Sequence, residues 1–171
     1  LLESRACSPY NDGKVYLAPF NYTVMGLWYN KTLFEQKGLK APKTWDEFFA
    51  LNDAAKANGR ALFTYQGIYP SYLEELLFPA IYSAGGAKAL QSAFSFDPSF
   101  WTSDAAKKAV GVFGKIASTD NALMKGTVAL NHTQAQTEFM KGKAMFCING
   151  DRKSTRLNSS HTDISRMPSS A

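Results

Sequence analysis

Between Phe63 and Phe78 the chain reads FTYQGIYPSYLEELLF, which places Tyr65, Tyr69 and Tyr72 in one short stretch broken by Gly67 and Pro70. A solvated turn needs Gly, Pro, Asn, Asp or Ser, so three large amphipathic rings at a turn require something to pack against. The carboxylates offer less. Hydrolysis of a glycosidic bond needs two carboxyl groups facing each other across a cleft. The adjacent pairs Asp46-Glu47 and Glu74-Glu75 point about 100° apart on a helix and cannot converge. Helix capping accounts for the first pair, and a solvated helix face for the second. His132 is the only histidine before residue 151 and has no GxSxG nucleophile elbow to serve as base. HExxH, GxGxxG and the phosphate-binding loop are also absent, so the sequence implies no metal and no cofactor.

The remaining unexplained polar residues are neutral. Asn21, Tyr22 and Thr23 begin an apolar run, Tyr65, Gln66, Tyr69 and Tyr72 occupy the loop, and His132 and Gln134 stand at a helix start. Rings of this kind pack on the C–H face of a sugar, while amides and imidazole bond its hydroxyls. The inventory favours an uncharged, hydroxyl-rich ligand. The alternative reading makes the tyrosines core or hinge packing with locally satisfied hydroxyls.

Composition narrows the class. The chain has 171 residues, 45% hydrophobic and 13% aromatic, enough for one good core and too few for two large domains. No apolar run reaches the length of a membrane span, and LLESRACSPYND lacks the pattern of a signal peptide. The net charge is +5, of which residues 151–171 contribute +2; the rest is scattered singly, without the stripe that nucleic-acid or membrane-surface binding requires. Cys7 and Cys147 lack metal-ligand or CxxC spacing, and Cys147 in AMFCI reads as a core thiol.

The elements that must position these groups alternate. Asp12-Gly13 predicts a turn into a strand ending at Pro19, and TVMGLWY from Thr23 to Tyr29 predicts a buried strand with a bulge or close approach at Gly26. Asn30 caps a helix that Gly38 stops. Thr44 and Glu47 form a capping box for a helix with Trp45, Phe48, Phe49 and Ala55 on one face, ended by Gly59. ALFTY is strand-like, and a helix from about Ser71 to Ala84 should kink at Pro79 and end at Gly85-Gly86. Ser103 caps a helix with the stripe Val110, Phe113 and Ile116; Thr133 or Asn131 caps another, and Gly142 turns the chain into KAMFCING. Trp28, Trp45 and Trp101 are assigned to packing. Strands alternating with helices predict an α/β layered domain.

After Gly150 the character changes to DRKSTRLNSSHTDISRMPSSA, which has six serines and no aromatic residue. Such a segment cannot bury enough apolar surface to pack. It resembles the conceptual translation of a sequencing adapter joined to a gene fragment, the alternative being a natural disordered tail. Either way it is set aside from the fold, and His161 is no ligand.

Several phrases taken together, DGKVYLAPF, GLWYNKTLFEQKG, APKTWDEFFAL, TYQGIYPSY, NHTQAQT and GKAMFCING, resemble the family 1 extracellular solute-binding proteins of carbohydrate ABC importers over about residues 12–150. TYQG-YP and HTQ-QT are most similar to members that bind N-acetylglucosamine and its chitin-derived oligomers. The resemblance implies a type II periplasmic-binding-protein fold: two α/β lobes joined by crossing strands that close over a sugar and deliver it to a membrane permease. It implies that residues 1–20 end the first lobe and enter the hinge, that 21–150 form most of the second lobe, and that 151–171 are foreign to it. Tyr22 and Thr23 would then sit beside the hinge at the cleft. Tyr65, Gln66, Tyr69 and Tyr72 would line the second lobe's share, with His132 and Gln134 as further candidates. Arg152 stands where the family commonly carries a stacking Trp. The implied protein is a monomeric, periplasmic or lipid-anchored receptor with no nucleic-acid partner, present here as a fragment that binds sugar weakly or not at all. The rival reading is a carbohydrate-active α/β enzyme whose catalytic residues lie elsewhere.

Overall fold

Strand β3, Ala144–Gly150, is buried at every position, as expected of a strand covered on both faces whose apolar residues run on without alternation. The computed structural model describes residues 10, 12–18 and 25–150, together with the backbone of strand 164–166. β3 is flanked by β2, Ala61–Thr64, in parallel and by β1, Met25–Asn30, in antiparallel, and with Ile164–Arg166 as β4 the sheet order is β2-β3-β1-β4.

Side chains on a strand alternate between faces, and that sorts the core into two layers. Phe146 and Ile148 point to the face covered by α1 (Lys31–Gln36), α2 (Trp45–Ala50) and α3 (Asn52–Ala57), where they join Phe34, Phe48, Phe49 and Ala55. Phe146 lies 5.1 Å from Phe48 and 5.6 Å from Phe34, centroid to centroid. Cys147, on the other face, packs with Trp28 of β1 and Phe139 of α6 (His132–Met140). A second cluster joins α4 (Glu74–Phe94) to α5 (Asp104–Ser118) through Ala80, Ile81, Ala106 and Ala109.

The caps explain the helix starts. Asn30 accepts from the Leu33 N–H at 2.9 Å, and Gly38 takes the left-handed φ of 63° that stops α1. Thr44 accepts from the Glu47 N–H at 3.2 Å, while the Glu47 carboxylate reaches back to the Lys43 N–H at 2.6 Å, one residue before the position a capping box uses. Ser103 caps α5 at the Ala106 N–H.

Several expectations change. The helix after the tyrosine loop begins with a 3-10 turn, Pro70–Leu73, and passes Pro79 without leaving helical geometry; it breaks at Gly86, as expected, where φ is 68° and ψ is −164°, and a second helical segment continues to Phe94. Val110 is half exposed, and Ala106 and Ala109 take its place in the stripe, because α4 approaches α5 closely enough to need small residues. Trp101 is half exposed and packs edge-on against Phe100. The register of β1 on β3 runs unbroken through Gly26, with no bulge. Residues 14–18 pair with no strand and stand exposed, although Asp12 does make the turn, accepting from the Lys14 N–H. Ile164–Arg166 adds as β4 to the outer edge of β1. Residues 151–171 lack the composition for a packed element, and pairing on an edge needs none, because it uses backbone groups alone.

Candidate functional site

The carboxyl ends of the parallel strands β2 and β3 lie side by side, the position at which open α/β sheets form ligand crevices. The loop leaving β2 carries the tyrosines, and its path is fixed by one buried hydroxyl. Thr127 Oγ1 donates to the Tyr65 carbonyl at 2.9 Å and accepts from the Tyr65 N–H at 3.0 Å, and it lies 2.8 Å from Thr64 Oγ1. With Thr64 donating, every group in this set is satisfied. The Gly67 N–H then donates to the Thr127 carbonyl and the Ile68 N–H to that of Leu130, both at 3.2 Å. A Cβ at Gly67 would run into the backbone of Thr127 and Val128, so only glycine permits this approach.

Pinned in this way, the loop turns at Pro70 and brings Tyr69 and Tyr72 to the start of α6. Asn131 caps α6 by accepting from the Gln134 N–H at 3.0 Å, and the Gln134 side chain returns the bond to the Asn131 N–H at 2.9 Å. This capping box settles the cap at Asn131 rather than Thr133 and engages the Gln134 side chain in the turn. His132, the first residue of the helix, faces the loop. Its Nε2 lies 2.5 Å from Tyr72 Oη, and the two rings meet edge to face at 4.6 Å and 85°. Tyr69 lies 5.0 Å from His132 at 34° and leaves 41% of its surface exposed. Three rings therefore form one partly open aromatic surface.

The other candidates lie apart from these rings. Tyr65 is buried and stacks parallel on Phe63 at 5.9 Å. Gln66 is 0% exposed, and its Nε2 donates to the Ile148 carbonyl at 3.0 Å. Tyr22 and Thr23 lie outside the described residues, as do Arg152 and Cys7.

Thr127 has no role legible in the sequence, and the Glu74-Glu75 pair reads there as a solvated helix face. Glu75 is instead partly buried, its Oε2 sealed from solvent without a hydrogen-bond partner, while Glu74 is exposed. Burial and the neighbouring Glu74 charge push the Glu75 carboxyl up to about 7. A polar residue at a 3-10 turn, such as Thr127, carries no periodic signal that would have revealed it. Among the described residues no group of His, Cys, Asp or Glu is placed to hold a metal ion. What the cluster offers is ring faces, a phenol and an imidazole, which suit stacking and hydrogen bonding to a neutral ligand.

The model of the family "Bacterial extracellular solute-binding protein" matches residues 2–154. The chain belongs to that family. It is 34% identical over 90 residues to the diacetylchitobiose binding protein NgcE of Streptomyces coelicolor, a match covering 53% of this chain and 19% of that protein. It is 31% identical over 140 residues to the multiple sugar-binding protein of Streptococcus mutans, covering 80% of this chain and 33% of the relative. A solved chitin oligosaccharide binding protein superposes with a TM-score of 0.73 at 23% identity, over 85% of this chain and 37% of that one, and bears out the type II fold. The chain thus spans a third or less of the length of these two relatives, and no helix among the described residues is long and apolar enough to cross a membrane.

Proposed function

We propose that this chain supplies most of the second lobe of a sugar receptor of an ABC importer, and that Tyr69, Tyr72 and His132 are its sugar platform. The observation that carries the reading is the partly open three-ring cluster at the carboxyl end of the sheet, held by the Tyr72–His132 hydrogen bond. Stacked rings bury the C–H face of a pyranose, and the phenol and imidazole exchange hydrogen bonds with its hydroxyls.

Capture involves no covalent step. A sugar that touches both lobes binds the closed form more tightly than the open form and shifts the equilibrium by that difference. The closed form is what the permease would receive. The relatives' names favour an N-acetylglucosamine-containing oligosaccharide of the diacetylchitobiose kind; the sugar-binding relative from Streptococcus mutans is consistent with the wider class. Tyr22 and Thr23 would add contacts from the hinge side.

The test is calorimetric titration with diacetylchitobiose of an uninterrupted protein carrying this chain, beside its Tyr69→Ala variant. Loss of the exposed ring should weaken binding by about 1–3 kcal/mol. Equal affinity in the two proteins would return Tyr69 to packing, and turnover of the sugar would make the protein an enzyme.

A further inference from the structure

The side of the sheet beneath α6 is unusually polar for a buried layer. Of the six buried polar residues described, Thr64, Gln66, Thr127, Gln136 and Asn149 are in or next to the elements on this side, and only Asn52 is elsewhere. The placement follows from register. Trp28, Cys147 and Phe139 pack together, which sets α6 on the Cys147 face, and Asn149 follows Cys147 by two residues on that same face. Thr64 pairs with Cys147, so Gln66, two residues on, comes level with Asn149, and its Nε2 bonds the adjacent Ile148 carbonyl. Across β1, Asn149 pairs with Gly26, which has no side chain to cover that flank. Gln136 is among the buried residues of α6, one turn before Phe139.

Three atoms in this seam lack a hydrogen-bond partner among the described residues: the acceptor Gln66 Oε1 and the donors Gln136 Nε2 and Asn149 Nδ2. Their residues are 0%, 4% and 3% exposed, respectively. The other ends of two of these amides are fixed, since Gln66 Nε2 donates to Ile148 and Asn149 Oδ1 accepts from the Gly150 N–H at 3.0 Å. Buried groups of this kind are normally paired, and leaving one unpaired costs about 1–3 kcal/mol. One acceptor and two donors complement a hydroxyl group, which has one O–H to give and two lone pairs to fill. An acetamido carbonyl would leave Gln66 Oε1 unmet.

We infer that Gln66, Gln136 and Asn149 form a hydroxyl-reading subsite beneath the ring platform, specific for one hydroxyl of the bound sugar. The inference rests on the sugar-receptor reading. It deepens that reading by naming what distinguishes one sugar from another: the rings accept any pyranose face, whereas the seam demands a hydroxyl at one position.

The test is an NMR titration of the uninterrupted protein carrying this chain with N-acetylglucosamine and its mono-deoxy analogues, carried to high sugar concentration. Ring signals of Tyr69, Tyr72 and His132 report arrival at the platform, and side-chain NH2 signals of Gln66, Gln136 and Asn149 report the seam. The expected result is that both sets shift and that one deoxy analogue binds at least about ten-fold more weakly. In Gln136→Met that selectivity should vanish while Tm holds or rises, because replacing an unpaired buried amide by an apolar group of similar shape costs little; Asn149→Leu should abolish it too, with a lower Tm because the Gly150 N–H loses its acceptor. Ring shifts without amide shifts, or amides in contact with water whose signals ignore sugar, would overturn the subsite and leave the platform standing. Silence from the rings as well would remove the sugar-receptor reading, and the subsite with it.

Discussion

Tyr72 and His132, sixty residues apart in sequence, are joined by a 2.5 Å hydrogen bond between Oη and Nε2 and by edge-to-face rings 4.6 Å apart. This contact ties the loop after β2 to the first turn of α6, so it fixes the platform as well as forming part of it. Tyr72→Phe keeps the ring and removes the hydroxyl. It should lower stability by about 1 kcal/mol, the net value of one such bond, as measured by urea denaturation. Tyr72→Ala should cost more, through lost ring contact.

Gly67 should tolerate no side chain. Its added Cβ meets backbone of Thr127 and Val128, which cannot rotate away as a flexible side chain would. Gly67→Ala should therefore destabilise by about 1–3 kcal/mol, the usual cost of overpacking. The measurement is the urea midpoint; a variant as stable as the parent would show that the two loops do not meet as described.

Thr127 offers a test of the same junction by chemistry rather than volume. Thr127→Val is nearly isosteric, yet it strips a partner from the Tyr65 N–H, the Tyr65 carbonyl and the Thr64 hydroxyl. Stability should fall by about 2–4 kcal/mol, reflecting more than one unpaired buried group. Amide hydrogen exchange at Tyr65 should accelerate in parallel. Thr127→Ser should retain most of the stability.

Glu75 gives the chain a pH dependence of unusual sign for a carboxylate. Its folded pKa is raised to about 7 from an ordinary 4.5, by burial first and by Glu74 second. The folded state therefore binds the proton more tightly than the unfolded state, and stability from this group is greatest below pH 4.5 and is lost as pH rises to about 7. The carboxyl is only partly buried, so solvent screening reduces the amplitude to about 1 kcal/mol. Thermal melts across that window should show the decline in the parent and not in Glu75→Gln. The same variant should be the more stable at pH 8.

Cys147 should be inert in the native state. The thiol is fully buried, and burial pushes its pKa up to about 12, so the reactive thiolate is scarce. An aromatic disulfide reagent should modify Cys147 only as fast as the chain unfolds, and urea should release the reaction.

The caps, the helix stops and the apolar strands were legible in the sequence because each depends on neighbours within a few residues. Asn30, Thr44 and Ser103 cap as their spacing implies, and Gly38, Gly59 and Gly142 take the positive φ their places require. The run AMFCI reads as a strand buried on both faces, which β3 is. The family phrases likewise fixed the fold, because their order along the chain is a property of the chain itself.

What only the tertiary structure decided is which of several alike residues meet. Tyr65 and Tyr69 stand four positions apart in one loop, yet one ring stacks on Phe63 in the core and the other lies open against His132. The direction of each ring is set where Gly67, between them, meets the backbone of Thr127 and Val128 from about sixty residues further along the chain, a meeting that leaves no periodic trace in the sequence. The burial of Glu75 and the unpaired amides of Gln66, Gln136 and Asn149 are of the same kind. Solvation and hydrogen-bond satisfaction are properties of packed surroundings, and those surroundings exist only once β2, β3 and α6 have come together.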